Sequence, residues 1–159
     1  MGTDGAGFEG APTVEPPVVV LPASAGVLVG NTDYSGPEGE AVVLAHHRVS
    51  LLHSQVPLSA PEVCVSVKVK NDRVAQKGHR GAFAVYTGSG AWKVLRLPLE
   101  RDGKFMTYVV GTRKGPGVVN LRYRMLRGSD FFQPENPDKD ARDFNLYIKE
   151  TILTPGRCP

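Results

Sequence analysis

The first 45 residues contain no lysine or arginine. Six acidic side chains fall in that stretch, so all nineteen basic residues and the other ten acidic ones lie in the remaining 114. This absence excludes a basic N-terminal arm for gripping phosphate, and it suits an acidic segment lying across a basic protein surface. Long apolar runs are also missing. No stretch nears the ~20 apolar residues of a membrane-spanning helix, and residues 1–10 lack the basic start and apolar core of a secretory signal. The chain therefore reads as soluble, with no membrane partner, and either works inside the cell that makes it or is a piece of a longer chain. Cysteine is scarce: Cys64 sits in a strand-like run and Cys158 is next to the C-terminal residue. That is a poor pattern for a disulfide, and two thiols alone cannot complete a zinc site. The pair leaves the redox compartment open, with a lean toward a reducing one. Tryptophan occurs once, at Trp92, and helix signals nearly vanish along the whole chain.

What is present is enough for one domain. A chain of 159 residues buries roughly two thirds of the surface its unfolded form exposes, so it needs no disulfide or metal staple. Residues 1–17 hold four glycines and three prolines among small and acidic side chains, a composition that cannot bury enough apolar surface to fold alone. We therefore expect an extended acidic arm over residues 1–25, with Glu9, Glu15, Pro16 and Pro17 making assembly contacts, and a folded domain over 26–159.

Strand signals recur at short spacing through that domain. Val63, Val65, Val67 and Val69 alternate with Cys64, Ser66, Lys68 and Lys70, so one face of a period-two strand is wholly apolar. Val119, Leu121, Tyr123 and Met125 alternate with polar residues in the same way, as do Phe144, Leu146 and Ile148. Further strands are expected at 18–21, 27–29, 41–44, 49–56, 82–86, 92–99 and 105–111. Turn punctuation separates them at Ser35-Gly36-Pro37, Ser59-Ala60-Pro61, Gly88-Ser89-Gly90, Asp102-Gly103 and Gly115-Pro116-Gly117. Eight to ten short strands with a turn every dozen residues define an all-β, antiparallel β-sandwich of jelly-roll type. Residues 128–142 read as a long loop.

Catalytic chemistry finds no footing. There is no Gly-x-Ser-x-Gly elbow, and neither cysteine has the local signature of a thiol enzyme, so no catalytic residue, metal or cofactor is assigned. His46, His47 and His53 lack metal-ligand spacing. Asp138, Asp140 and Asp143 lack the glycine and terminal glutamate of a calcium loop. Arg113, Lys114, Arg122, Arg124 and Arg127 form the densest basic cluster, with Arg113 and Lys114 placed in the turn of a hairpin leading into the strand of Arg122 and Arg124. Without a basic tail or stacking aromatics the cluster argues against nucleic acid and for a protein contact or a solvated face. A second set is aromatic: Trp92 begins a strand after a glycine-rich turn, with Tyr86 across that turn, Arg96 on the same strand face and Tyr108 in the next strand. A flat ring under the C–H face of a pyranose, ringed by hydrogen-bonding groups such as Asn71 and Asn120, is how sugars are held. The simpler reading is a tryptophan packed over the end of the core.

Residues 49–58 (VSLLHSQVPL), followed by 63–70, resemble the paired strands that open many galactose-binding-like jelly rolls of the carbohydrate-binding-module type. Residues 144–153 (FNLYIKETIL) resemble their closing strand. The resemblance spans residues 41–153 and rests on strand patterns. It implies the fold and permits carbohydrate binding, although the usual calcium ligands near the first strand cannot be assigned. The same sandwich serves viral capsid and phage decoration proteins, and a fold alone does not choose among uses.

Two functions follow. The first is a non-enzymatic structural subunit of a virus or phage particle, a decoration or coat protein located in the virion, whose acidic arm reaches copies of itself or other shell proteins. The alternative is a carbohydrate-binding module, secreted or part of an extracellular enzyme. The charge split favours the first, and the Trp92 region favours the second.

Overall fold

The computed structural model describes residues 17–71, 82–88, 92–96, 104–125 and 145–159, with the side chains of Asn71, Ala82, Val94 and Arg96 excepted. Eleven strands are described: β1 (Val19–Pro22), β2 (Val27–Gly30), β3 (Gly36–Glu38), β4 (Ala41–Leu44), β5 (Val49–Leu58), β6 (Glu62–Asn71), β7 (Ala82–Tyr86), β8 (Lys93–Arg96), β9 (Met106–Lys114), β10 (Gly117–Met125) and β11 (Leu146–Pro155). A single 3-10 turn at Ala23–Ala25 is the only helical element among the described residues. All described pairings are antiparallel and build two sheets, one ordered β3-β4-β11-β6-β9 with β1 also on β11, the other β2-β5-β10-β7-β8. The protein is thus an all-β sandwich.

Alternation places the core. Val63, Val65, Val67 and Val69 of β6 are almost fully buried and face Leu121, Tyr123 and Met125 of β10, Phe83 and Val85 of β7, and Val49 and Leu51 of β5. In β11 the pattern breaks: the pairing with β6 slips between Ile148 and Glu150. The extra residue of this bulge reverses which side chains face inward, so Thr151 and Leu153 are buried while Ile152 turns outward. Thr151 would be an unpaired hydroxyl in an apolar layer if the Tyr123 hydroxyl did not lie 2.7 Å from it.

Four expectations need correction. β1 pairs with β11 over Val19–Leu153 to Pro22–Glu150, and Ala23 is fully buried, so the sandwich already includes residues placed in the arm by the 25/26 boundary. Apolar Val19 and Leu21 pack on the core, so the strand expected at 18–21 belongs to the sandwich rather than to the arm. Gly36 and Pro37, expected in a turn, form edge strand β3 against β4; an edge position suits a proline, which has no N–H to donate. β9 and β10 are not a hairpin, because β9 pairs with β6 and β10 with β5 and β7. The chain instead crosses between sheets at Gly115, where a side chain would collide with the Ala60 carbonyl, through a cis Gly115–Pro116 bond. Finally, Cys64 and Cys158 form a disulfide. Thr154 pairs with Cys64 and Thr112 with Cys64 from the other side. After β11 the chain turns back over this row, where the Cys158 N–H donates to Thr112 Oγ1 at 2.9 Å. Nearness to the C-terminus made the cysteine look unconstrained, yet the preceding strand delivers it to its partner. The arm residues Glu9, Glu15 and Pro16, the Asp102-Gly103 turn and the 128–142 loop lie outside the described residues; Pro17 is exposed.

Candidate functional site

β10 supplies the centre of the site. Leu121, Tyr123 and Met125 point into the core, so Arg122 and Arg124 stand on the outward face of the five-stranded sheet, both half-buried. The register sets their neighbours: Arg122 is opposite Tyr86 of β7 and Leu52 of β5, and Arg124 is opposite Ala84 and Ser50. β8 lies beyond β7, with Val85 opposite Lys93, which brings Trp92 beside Tyr86 on the same outward face. Their ring centroids are 5.3 Å apart with planes 33° from parallel. The Arg124 guanidinium carbon lies 5.0 Å from the centre of the Trp92 ring, within the range of a cation–π contact. Both aromatic rings remain half-buried, so each keeps surface open to solvent.

The structure thus unites two sets of residues that sequence reasoning kept apart. Tyr86 and Trp92 are together, and Arg124, expected in a basic surface patch, completes their stack. The backbone of Arg96 continues the outward face of β8, but its side chain lies outside the description, as do Arg127 and the side chain of Asn71. Tyr108 is elsewhere. It belongs to β9 of the other sheet, pairs with Val67, and packs edge-on against Phe83 with centroids 5.6 Å apart. Burial pushes its hydroxyl above the ordinary tyrosine value, as expected of a side chain turned toward the core.

The basic cluster also divides. Lys114 ends β9 opposite Glu62. Arg113, on the same strand, reaches across to the other sheet and donates from Nη2 to Thr87 Oγ1 at 2.8 Å. Lys93 makes the converse crossing, from β8 to the Val110 carbonyl. These two basic groups tie the sheets together at one rim, so neither joins Arg122 and Arg124 in a phosphate-binding stripe. Asn120 is likewise occupied: its Oδ1 accepts from the Gln55 N–H at 2.8 Å, where Gln55 adopts φ 56°. His53 faces inward, is 4% exposed and meets Tyr123 edge-on at 6.4 Å; burial lowers its pKa.

No group of three His, Cys, Asp or Glu side chains that could hold a metal ion occurs among the described residues. The loop carrying Asp138, Asp140 and Asp143 lies outside them. Among the described residues no helix is long and apolar enough to cross a membrane.

No family model matches the sequence, and no curated protein sequence matches it. The fold, by contrast, recurs in solved structures. The C-terminal CBM6 module of LamC, a marine laminarinase from Zobellia galactanivorans, superposes with a TM-score of 0.56 at 12% identity, covering 87% of this chain and 99% of that one. A carbohydrate-binding module CBM36, in complex with calcium and xylotriose, gives 0.59 at 12% identity over 86% of this chain and 99% of its own. An exo-β-1,3-galactanase from Phanerochaete chrysosporium with galactose gives 0.58 at 11% identity, but there the chain spans only 29% of the larger protein. The sandwich therefore has the jelly-roll fold of carbohydrate-binding modules, as the strand patterns of residues 41–153 implied.

Proposed function

We propose that this domain is a non-catalytic carbohydrate-binding module, which docks saccharide on the outward face of the five-stranded sheet around Trp92. The observation that carries this reading is the Tyr86–Trp92–Arg124 stack. It combines what a pyranose needs: aromatic surface for its apolar C–H face, with a guanidinium and a phenol beside it to reach the hydroxyls. Arg124 also orients the indole from a central strand, so the platform is held before ligand arrives.

Two further observations support the reading. Solved carbohydrate-binding modules share the fold over nearly their whole length. The Cys64–Cys158 disulfide fits an oxidising compartment, and thus a secreted protein or a part of an extracellular enzyme. The particle-subunit reading gains no support from these neighbours, and the arm residues on which it rested are outside the described structure.

Retention on insoluble polysaccharide tests the proposal. Wild-type protein should be held back by at least one of insoluble xylan, β-1,3-glucan and arabinogalactan, and Trp92→Ala should weaken that retention at least tenfold while keeping the wild-type melting temperature within a few degrees. Equal retention of both proteins would remove Trp92 from any role, and absence of retention on all three matrices would count against the function itself.

A further inference from the structure

The opposite face of the sandwich carries a second constellation that no sequence pattern announced. On the outward side of the six-stranded sheet, Tyr147 of β11 pairs in register with Lys70 of β6, and Phe105, just before β9, flanks Lys70 on its other side. The Lys70 ammonium lies 5.0 Å from the centre of each ring. Lys149 Nζ stands 5.6 Å from the Phe105 ring and 3.2 Å from Glu40 Oε1. Glu38, Glu40, Ala41, Lys70, Phe105 and Tyr147 together line a groove of about 350 Å³.

We infer that this groove is a second saccharide site, and that it takes a neutral sugar chain. The inference extends the carbohydrate reading above to a separate surface. Its volume is within the range of small-molecule sites. Tyr147 on β11 and Phe105 just before β9 flank β6 from either side, and because each ring centre lies 5.0 Å from the Lys70 ammonium the two are no further than ~10 Å apart, within the reach of adjoining sugar rings. Lys70 has no carboxylate partner among the described residues, so its N–H groups can donate to ring or hydroxyl oxygens between the two aromatics. Glu38 and Glu40 provide acceptors for sugar hydroxyls on the groove's other wall. Two ammonium groups, Lys70 and Lys149, balance these two carboxylates, so no net field draws in an anionic sugar. Cation–π contacts fix Lys70 against the rings in the free protein, which lowers the ordering cost on binding.

The test is amide chemical-shift mapping on the full chain, titrated with xylotriose, β-1,3-galactotriose and a trigalacturonate of equal length. A neutral trisaccharide should shift amides at 38–41, 70, 105 and 147 in the wild type and equally in Trp92→Ala. Tyr147→Leu and Phe105→Leu should each weaken that response at least tenfold while leaving shifts around Trp92 intact; two variants are used so that one misfolded protein does not decide the result. Shifts confined to the Trp92 face would overturn this inference and leave the first site standing. Shifts confined to the groove would uphold it and overturn the first. Silence at both faces, or a stronger groove response to trigalacturonate than to the neutral sugars, would overturn it as well.

Discussion

Tyr123 and Thr151 join their hydroxyls at 2.7 Å in the centre of the sandwich, one from each sheet, with both side chains fully buried. The pair exists only because the β11 bulge turns Thr151 inward. Removing one partner strands the other in an apolar layer, which costs about 1–3 kcal/mol. Tyr123→Phe should therefore destabilise the domain by about 2 kcal/mol in urea unfolding. Adding Thr151→Val should recover much of that loss, since a matched apolar pair needs no hydrogen bond. A double variant as unstable as the sum of both singles would show that the two hydroxyls act independently.

His53 makes stability depend on pH. Burial lowers its pKa from the ordinary 6.5, so just below that value the unfolded chain takes up a proton that the folded chain still refuses. Unfolding is then favoured as pH falls, by linkage. The urea midpoint should decline from about pH 6.5 to 5, and His53→Leu should flatten that decline. Parallel profiles for both proteins would assign the dependence to other groups.

The Cys64–Cys158 bridge closes a sequence separation of 94 residues. By chain-entropy arithmetic such a loop stabilises by about 4.7 kcal/mol, and measured values are often smaller. Reductant, or Cys64→Ser with Cys158→Ser, should lower the melting temperature by several degrees without unfolding the sheets at room temperature, because the core is packed by Val63, Val65, Val67 and Val69 of β6 against β5, β7 and β10 and does not include Cys64. Identical melting with and without reductant would mean that the cross-link does not form in solution.

Gln55 holds φ 56° at the irregularity between β5 and β10, a conformation that burdens a side chain but not glycine. Gln55→Gly should leave stability unchanged or raise it by up to about 1 kcal/mol. Asn120→Ala should lower it by about 1 kcal/mol, since Asn120 caps the Gln55 N–H. Thermal melts of both variants decide the matter.

Much of the fold was legible because burial on one face writes itself as alternation. Val63 to Val69 and Leu121 to Met125 could only be half-buried strands, and short runs such as Ala41–Leu44 stood out between turns. Partnership was less readable. Gly115-Pro116-Gly117 looks the same whether it closes a hairpin or carries the chain to the other sheet, so Arg113 was misplaced beside Arg122. The Thr151 bulge leaves no signature until its partner strand is known. At the candidate site, the turn before Trp92 pointed to Tyr86, two strand ends joined locally. Arg124 was missed as their companion because β10 reaches them only through tertiary pairing. Phe105, Lys70 and Tyr147 come from three distant segments and share a row only once β6 is flanked by β9 and β11.

The adjacency of β1 and β11 also governs how the domain meets mechanical load. Val19 lies opposite Leu153, so the polypeptide enters and leaves at the same pole, and the bridge at Cys158 hands any pull on the tail to Cys64 in β6. Tension between the two ends would peel β1 away one hydrogen bond at a time, sparing the long central ladder, so that the first strand yields early under force while the body of the sandwich stays shut.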